Sequence, residues 1–447
     1  MTDKGQAQDL LSDLITRAKR AGADAADALW VESTSLAAAQ RLGEPEKVER
    51  AENTEVGLRV FIGKRQAVVS SADMSKVSLA GLAEQAVAIA RVVPEDPDCG
   101  LAEAGQIATS FPDIDSFDAG EPDGEALAAR AKLAEAAARQ VSGVTNSEGA
   151  EAAWSRSKMA ILASNGFNGS YTISRHNLAV SVLAGDGTEM ERDYEYMTSV
   201  YAEDLESPEE LGKRAGMRAV RRLHPKKVKS VKVPVVFDPR VSNSLIGHLA
   251  SAINGQAIAR GTSFLKKKMG EEIFAPAITV VDDPHRKRGL RSRPFDAEGI
   301  ATSKRKVIEN GVLKTWLLDL RSARKLKLKT TGHAVRGISG PPSPAATNLY
   351  MEPGNISPKE LMADIESGFY VTDLMGFGLN MVTGDYSRGA SGFWIENGEI
   401  AYAVSEVTVA GNLKDMFKEM RAADDLEFRY GTNAPTLRIE GLTVAGT

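Results

Sequence analysis

Turn signals constrain this chain more than any catalytic motif does. Asn165-Gly166, Asn168-Gly169, Gly185-Asp186-Gly187 and Asn397-Gly398 each interrupt apolar runs, and these residue types accept the positive φ of a tight hairpin. Strands joined by turns this short must run antiparallel, because a parallel return needs a crossover of about a dozen residues. Strands are predicted at 28–31, 55–71 (a hairpin broken at Gly63-Lys64), 154–163, 170–184 and 188–201. After a basic connector over 226–232 they are predicted at 233–237, 277–281, 306–308, 312–318, 348–351, 369–374, 392–396, 399–404 and 436–439. Helices are expected over 6–21, 75–92, 125–140 and 241–259. Two more open at Ser207-Pro208-Glu209-Glu210 and Ser357-Pro358-Lys359-Glu360, both capping boxes with proline at the first helical position.

This pattern predicts an α+β protein, and 447 residues suit two domains. Residues 1–228 form an N-terminal α/β domain of hairpins and helices, with an acidic, proline-rich loop at 93–124. Residues 229–447 form a strand-rich, mostly antiparallel, barrel-like domain. Net charge is −5 but uneven: the first 151 residues hold 26 acidic against 15 basic side chains, the remainder 34 against 40. The densest basic stretch, 284–329, carries 14 basic and 4 acidic residues. It reads as a solvated face or a surface for an acidic partner. A nucleic-acid groove is the alternative, but no helix-turn-helix, zinc finger or aromatic stacking platform accompanies the charge.

One cysteine, Cys99, excludes a disulfide framework within the chain and multi-cysteine metal motifs. The five histidines, His176, His224, His248, His285 and His333, are too scattered to offer two ligands on one helix face. Asp113-x-Asp115-x-x-Asp118 falls short of a calcium loop, since Phe117 occupies the fifth position and Asp118 the sixth, where glycine is required. There is no phosphate-binding glycine loop and no His-Glu-x-x-His. Gly389-Ala390-Ser391-Gly392 closes one residue too early for a nucleophile elbow, and is read as a glycine turn. The polar start, Met1-Thr2-Asp3-Lys4-Gly5-Gln6, offers no apolar signal core, and the apolar stretches fall far short of the roughly 20 residues that span a bilayer. A soluble cytoplasmic protein without a self-contained active site is expected from the residues alone.

Four segments add a resemblance. Gly332-His333 through Thr347-Asn348-Leu349-Tyr350-Met351, Gly368-Phe369-Tyr370-Val371-Thr372, Gly384-Asp385-Tyr386-Ser387-Arg388-Gly389 through Asn397-Gly398-Glu399-Ile400, and Pro435 through Thr447 resemble the TldD/TldE family, in its TldE (PmbA) branch. The similarity runs from near residue 8 to the last residue. It implies a cytoplasmic heterodimeric metallopeptidase that degrades unfolded or small peptides, including peptide-antibiotic precursors and labile antitoxins; the family also bears the name modulator of DNA gyrase. A TldD-like partner is expected to carry His-Glu-x-x-x-His and one divalent metal, zinc or iron.

Aligning Gly261-Thr262-Ser263 with the family's Gly-Thr-Ser puts Ile246 and Gly247 at the first His-Glu and Ser251 at the second His. His248 is two residues off, with no carboxylate between Val241 and Arg260 to activate a metal-bound water. No catalytic residue, metal or cofactor is therefore expected in this chain, which would be a non-catalytic subunit shaping a peptide chamber. His248, Ser251, Asp385, Ser387 and Arg388 are the candidate peptide contacts. A homodimer stays open; no membrane or nucleic-acid partner is expected, and a gyrase-associated or DNA-binding regulator is the alternative.

Overall fold

The computed structural model describes residues 3–446. Helix α1 (Asp3–Arg20) leads into strands β1 (Ala25–Arg41), β2 (Glu44–Ile62) and β3 (Arg65–Ser71), then helix α2 (Lys76–Val92). A long coil holds one 3-10 turn at Ala104–Gln106. Helix α3 (Gly124–Arg139), strands β4 (Val144–Ala163), β5 (Asn168–Ala184) and β6 (Glu191–Ser199) and helix α4 (Pro208–Arg221) follow. The six strands make one antiparallel sheet in the order β3-β2-β1-β4-β5-β6.

Strand side chains alternate between faces, so even-numbered Ala26, Ala28, Leu36 and Ala38 share a face with Val56, Leu58 and Val60 and with Ala152 and Trp154. Leu11, Leu14 and Ala18 of α1 and Leu82 and Ala86 of α2 cover one part of that face; α3 and α4 cover the rest. Each such leucine contributes about 1.5–3 kcal/mol on burial. The odd-numbered face, with Asp27, Leu29, Arg59 and Ile161, is left to meet the second half of the chain.

That half contains β7 (Val231–Phe237), α5 (Pro239–Ala252), α6 (Gly255–Arg260), β8 (Val280–Asp282), β9 (Arg305–Glu309), β10 (Val312–Leu313), α7 (Leu320–Leu326), β11 (Ala334–Val335) and β12 (Ser343–Pro344). It continues with β13 (Leu349–Met351), α8 (Pro358–Met362), β14 (Ser367–Met375), β15 (Asp385–Glu396), β16 (Glu399–Asn412), α9 (Leu413–Lys418), β17 (Met420–Ala422), β18 (Thr432–Asn433) and β19 (Leu437–Ala445). Strands β16-β15-β14-β7-β19 are paired in that order, and β19 returns to β16 through Thr443–Ala445. The ring closes into a five-stranded barrel. A second sheet, β10-β9-β8-β13-β18, packs into the same core, which includes Phe237, Leu245, Ile246, Leu249, Phe274 and Phe417.

The expected mixed α+β class with a barrel-like second half is what the chain adopts, with local departures. Strand β1 runs to Arg41 and β2 starts at Glu44, because every side chain from Glu44 to Asn53 is exposed and no alternation marks the segment. Asn168-Gly169 begins β5 rather than turning; Gly166, at φ +98°, makes the turn. The helix expected over 241–259 breaks at Asn254, which caps α6 through Gln256 N and donates to Pro344 O at 2.7 Å. Of the strand expected over 312–318 only Val312–Leu313 forms, and α7 and α9 went unpredicted. Gly389 to Gly392 lies inside β15 and is not a turn. Two strand pairs, β7 with β14 and β13 with β18, are parallel.

Part of the charge asymmetry is spent within the molecule. Lys287 pairs with Asp113 at 3.0 Å, Arg288 with Asp115, Glu203 and Asp204, and Arg321 with Asp96 at 2.6 Å. Arg324 donates to the carbonyls of Asp98, Gly100 and Leu101. Lys287, Arg288, Arg321 and Arg324 of the basic stretch thus dock on the chain's own acidic loop. Asp113 and Asp115 are held by cations, and Asp118 accepts from the main chain of Gly120 and Ala202. Cys99 is buried in this loop, and burial raises its thiol pKa.

Deeper in the contact, Asp27 joins Arg59 of β2 to Arg336, all three almost fully buried. Beside them Glu298 accepts from Leu320 N at 2.7 Å. Burial, then the neighbouring Asp296 charge, pushes the Glu298 carboxyl up from 4.5 to about 8. A carboxyl raised on folding favours the native state most below its unfolded pKa, and that contribution is lost as pH rises through the folded value. Glu298→Gln keeps the acceptor for Leu320 N without the charge. Its melting temperature is expected to match wild type near pH 5 and to exceed it by several degrees near pH 8.5. Equal pH slopes for the two proteins would refute this.

Candidate functional site

Helix α5 starts where Asp238 accepts from Arg240 N and Pro239 takes the first position. Its apolar residues Val241, Leu245, Ile246, Leu249 and Ala252 face the core. Ile246 is fully buried. A β-carbon on Gly247 would meet nothing within 4 Å, and Ser251 is exposed, its hydroxyl donating to Gly247 O at 3.0 Å. The three positions aligned with the metal motif therefore lie on two faces: a side chain at 246 points into the core, away from 247 and 251. Gly261, at φ +72°, ends α6, and Ser263 donates to Ala252 O, so Gly-Thr-Ser serves as the helix stop.

Strand β15 runs near this helix. Tyr386 is 1% exposed, and its ring meets that of His248 edge-on at 6.0 Å between centroids. Arg388, two residues on, shares its face and donates to Leu374 O at 3.2 Å. Three buried polar atoms here have no partner: His248 Nε2, Tyr386 OH and Arg388 Nε. Burial, and secondarily the Arg388 charge, lowers the His248 pKa to about 4, so the imidazole is neutral at pH 7. Burial raises the Tyr386 phenol to about 12, against the opposing pull of Arg388.

Of the five candidate contacts, His248 and Arg388 thus come together. Ser251 lies one turn along the open side of the helix. Asp385 and Ser387 point to the opposite side of β15: Asp385 accepts from Thr383 and Asn412 in the turn that closes the β15 edge, and Ser387 N donates to Gly378 O. Sequence reasoning missed Tyr386, although period-two alternation from Arg388 identifies it.

The residues of this cluster do not fit a divalent metal. They offer one imidazole nitrogen, no carboxylate and no thiolate, beside a guanidinium that repels a cation. Among the described residues, no three His, Cys, Asp or Glu side chains come together as a ligand set. The end of β14 and the loop that follows it expose Met375, Phe377 and Val382, Phe377 completely.

Comparison with known proteins matches three family models in chain order: PmbA/TldA metallopeptidase domain 1 over residues 26–90, the central domain over 117–223 and the C-terminal domain over 230–446. Metalloprotease PmbA of Escherichia coli O157:H7 is 37% identical over 426 residues, covering 95% of this chain and 92% of that one. A Bacteroides thetaiotaomicron protein named as a modulator of DNA gyrase superposes with a TM-score of 0.90 at 29% identity, covering 99% of both chains. TldE from Thermococcus kodakarensis shares the fold at a TM-score of 0.87 and 22% identity, over 98% of this chain and all of that one. The chain belongs to the PmbA/TldD/TldE family.

Proposed function

We propose that this protein is the non-catalytic, TldE-type subunit of a two-protein cytoplasmic metallopeptidase acting on unfolded or small peptides. A TldD-like partner supplies the divalent metal, zinc or iron, and this chain shapes the substrate chamber. One observation supports the reading: in a chain that belongs to a metallopeptidase family, the helix aligned with the metal motif carries Ile246, Gly247 and Ser251, and its one histidine, His248, has a phenol and a guanidinium for neighbours and no carboxylate. The exposed apolar tip at Met375, Phe377 and Val382, beside that cluster, offers a surface for a subunit or an extended peptide. The alternative, a gyrase-associated or DNA-binding regulator, is weakened where Lys287, Arg288 and Arg321 of the basic stretch are paired with the acidic loop.

The test is to purify this chain, a TldD homologue retaining His-Glu-x-x-x-His, and their mixture, then assay bound metal and cleavage of an unfolded peptide. The chain alone should hold no stoichiometric metal and cleave nothing, while the mixture should co-elute and cleave. Stoichiometric metal with hydrolysis by the lone chain would overturn the proposal.

A further inference from the structure

A cavity of about 430 Å³, the size of a small-molecule site, lies away from α5, between the first sheet and the second half of the chain. Strands β4 and β5 present Met159, Ile173 and Arg175 to it, and the segment Leu290–Arg293 forms the facing wall. Among the described residues two of its arginines, Arg175 and Arg293, form no ion pair, although Asp296 and Asp282 act on Arg293 at longer range. Arg293 is 8% exposed, spends its two terminal nitrogens on Ala334 O and Ala345 O at 3.1 and 3.0 Å, and leaves buried Nε without a partner. Arg175 donates only to the carbonyls of Ser174 and Leu290. Arg291 stands at the exposed rim, reaching Thr432 at 3.3 Å. No Asp or Glu lines the space, and the rest of the lining is largely apolar.

Placing guanidinium charge in a desolvated wall is costly unless an anion compensates it. Elsewhere this chain gives its most buried arginines an acid: Arg59 has Asp27, and Arg240 has Asp193. Arg175, with no acid acting on it, and Arg293, whose acids Asp296 and Asp282 form no ion pair with it, therefore point to an external anion. Arginine favours carboxylates through paired, charge-assisted hydrogen bonds, and the apolar wall calls for an apolar body next to that charge. We infer that this cavity binds the free C-terminal carboxylate of a short apolar peptide, gripped by Arg175 and Arg293. The inference deepens the peptide reading above and rests on it for the ligand class, while needing neither the partner subunit nor hydrolysis.

Calorimetry on the full-length chain alone tests it, with acetyl-Ala-Leu-Leu as the free acid, the same peptide as the C-terminal amide, and inorganic phosphate as probes. The acid should bind, and the amide at least 10-fold more weakly. Arg175→Met and Arg293→Met should each weaken the acid by about 10- to 100-fold and leave the amide unchanged. Because Arg293→Met removes two main-chain contacts, Ala346→Trp serves as a second variant: it fills the cavity, keeps both arginines and should also abolish acid binding. Equal affinity for acid and amide, no binding of either, or binding of phosphate without peptide acid would each overturn the assignment. Any of these outcomes leaves the subunit reading standing, because cleavage by the mixture is measured separately.

Discussion

Asp27→Ala is expected to lower the unfolding free energy by about 3–5 kcal/mol near neutral pH, as for other buried pairs broken on one side. The Asp27 carboxylate sits between the Arg59 and Arg336 guanidiniums, and the side chains of all three are 4% exposed or less. Removing it leaves both cations buried, with Glu298 3.9 Å from Arg59 as the nearest relief. Burial alone would raise the Asp27 pKa, but Arg336 and Arg59 outweigh it and hold the carboxyl below 3.8. A carboxyl lowered on folding stabilises above its unfolded pKa and loses that contribution as pH falls through the folded value. The gap between wild type and Asp27→Ala, read from urea titrations, should thus be full at pH 7 and close only in strong acid. A loss below about 1 kcal/mol would mean water reaches the two arginines, and the lock between the halves is weaker than its geometry.

Gly392→Ala should cost about 3 kcal/mol, although it adds a single methyl group. A β-carbon there would lie 1.9 Å from Tyr370 O on the neighbouring strand, and a backbone atom cannot step aside as a side-chain tip can. The β14–β15 register shifts at this point, so the bulge is built around the missing side chain. Gly247→Ala is the internal control. It sits within helix α5 with nothing within 4 Å of its would-be β-carbon, and should gain about 0.5–1 kcal/mol. Chemical denaturation of the two variants, side by side, should give shifts of opposite sign; a common sign would remove the packing argument. The control also bears on the proposed function, since the family resemblance puts position 247 at the glutamate of the metal motif, and the position is free to accept a side chain.

Much of the fold was legible because local chemistry and global placement agree. Ser207-Pro208 and Ser357-Pro358 open helices as their capping chemistry requires, and Asn397-Gly398 turns between β15 and β16. The failures share one cause, which is tertiary contact overriding local pattern. The helix over 241–259 breaks because Gly255 fits against Leu317 and Ser322, where a β-carbon would come within 2.5 Å of Ser322 Oγ. Strand β2 extends through Glu44–Asn53 because β1 pairs with it along its length, while its side chains face water throughout. The site was half legible. His248 and Arg388 converge as candidates, but Tyr386 sat unread between Asp385 and Ser387; of the interface-cavity arginines, Arg291 and Arg293 were counted within the basic stretch and Arg175 was not singled out. Burial is a property of the folded chain, and nothing in the linear order of 284–329 separates the arginines that meet acids from those that do not.

Barrel closure through β19 has a consequence for how the protein is made. Strand β7 pairs with Leu437–Ala445, on the order of 200 residues further along, so one barrel seam is among the most distant contacts in the chain. During synthesis the first sheet has all six strands once Ser199 has emerged. The later strands must wait with the edges of β7 and β16 open until β19 is available to join both. A nascent chain at that stage is a finished platform carrying an unsealed cylinder, and those two edges are where it is most exposed to wrong pairing with other chains.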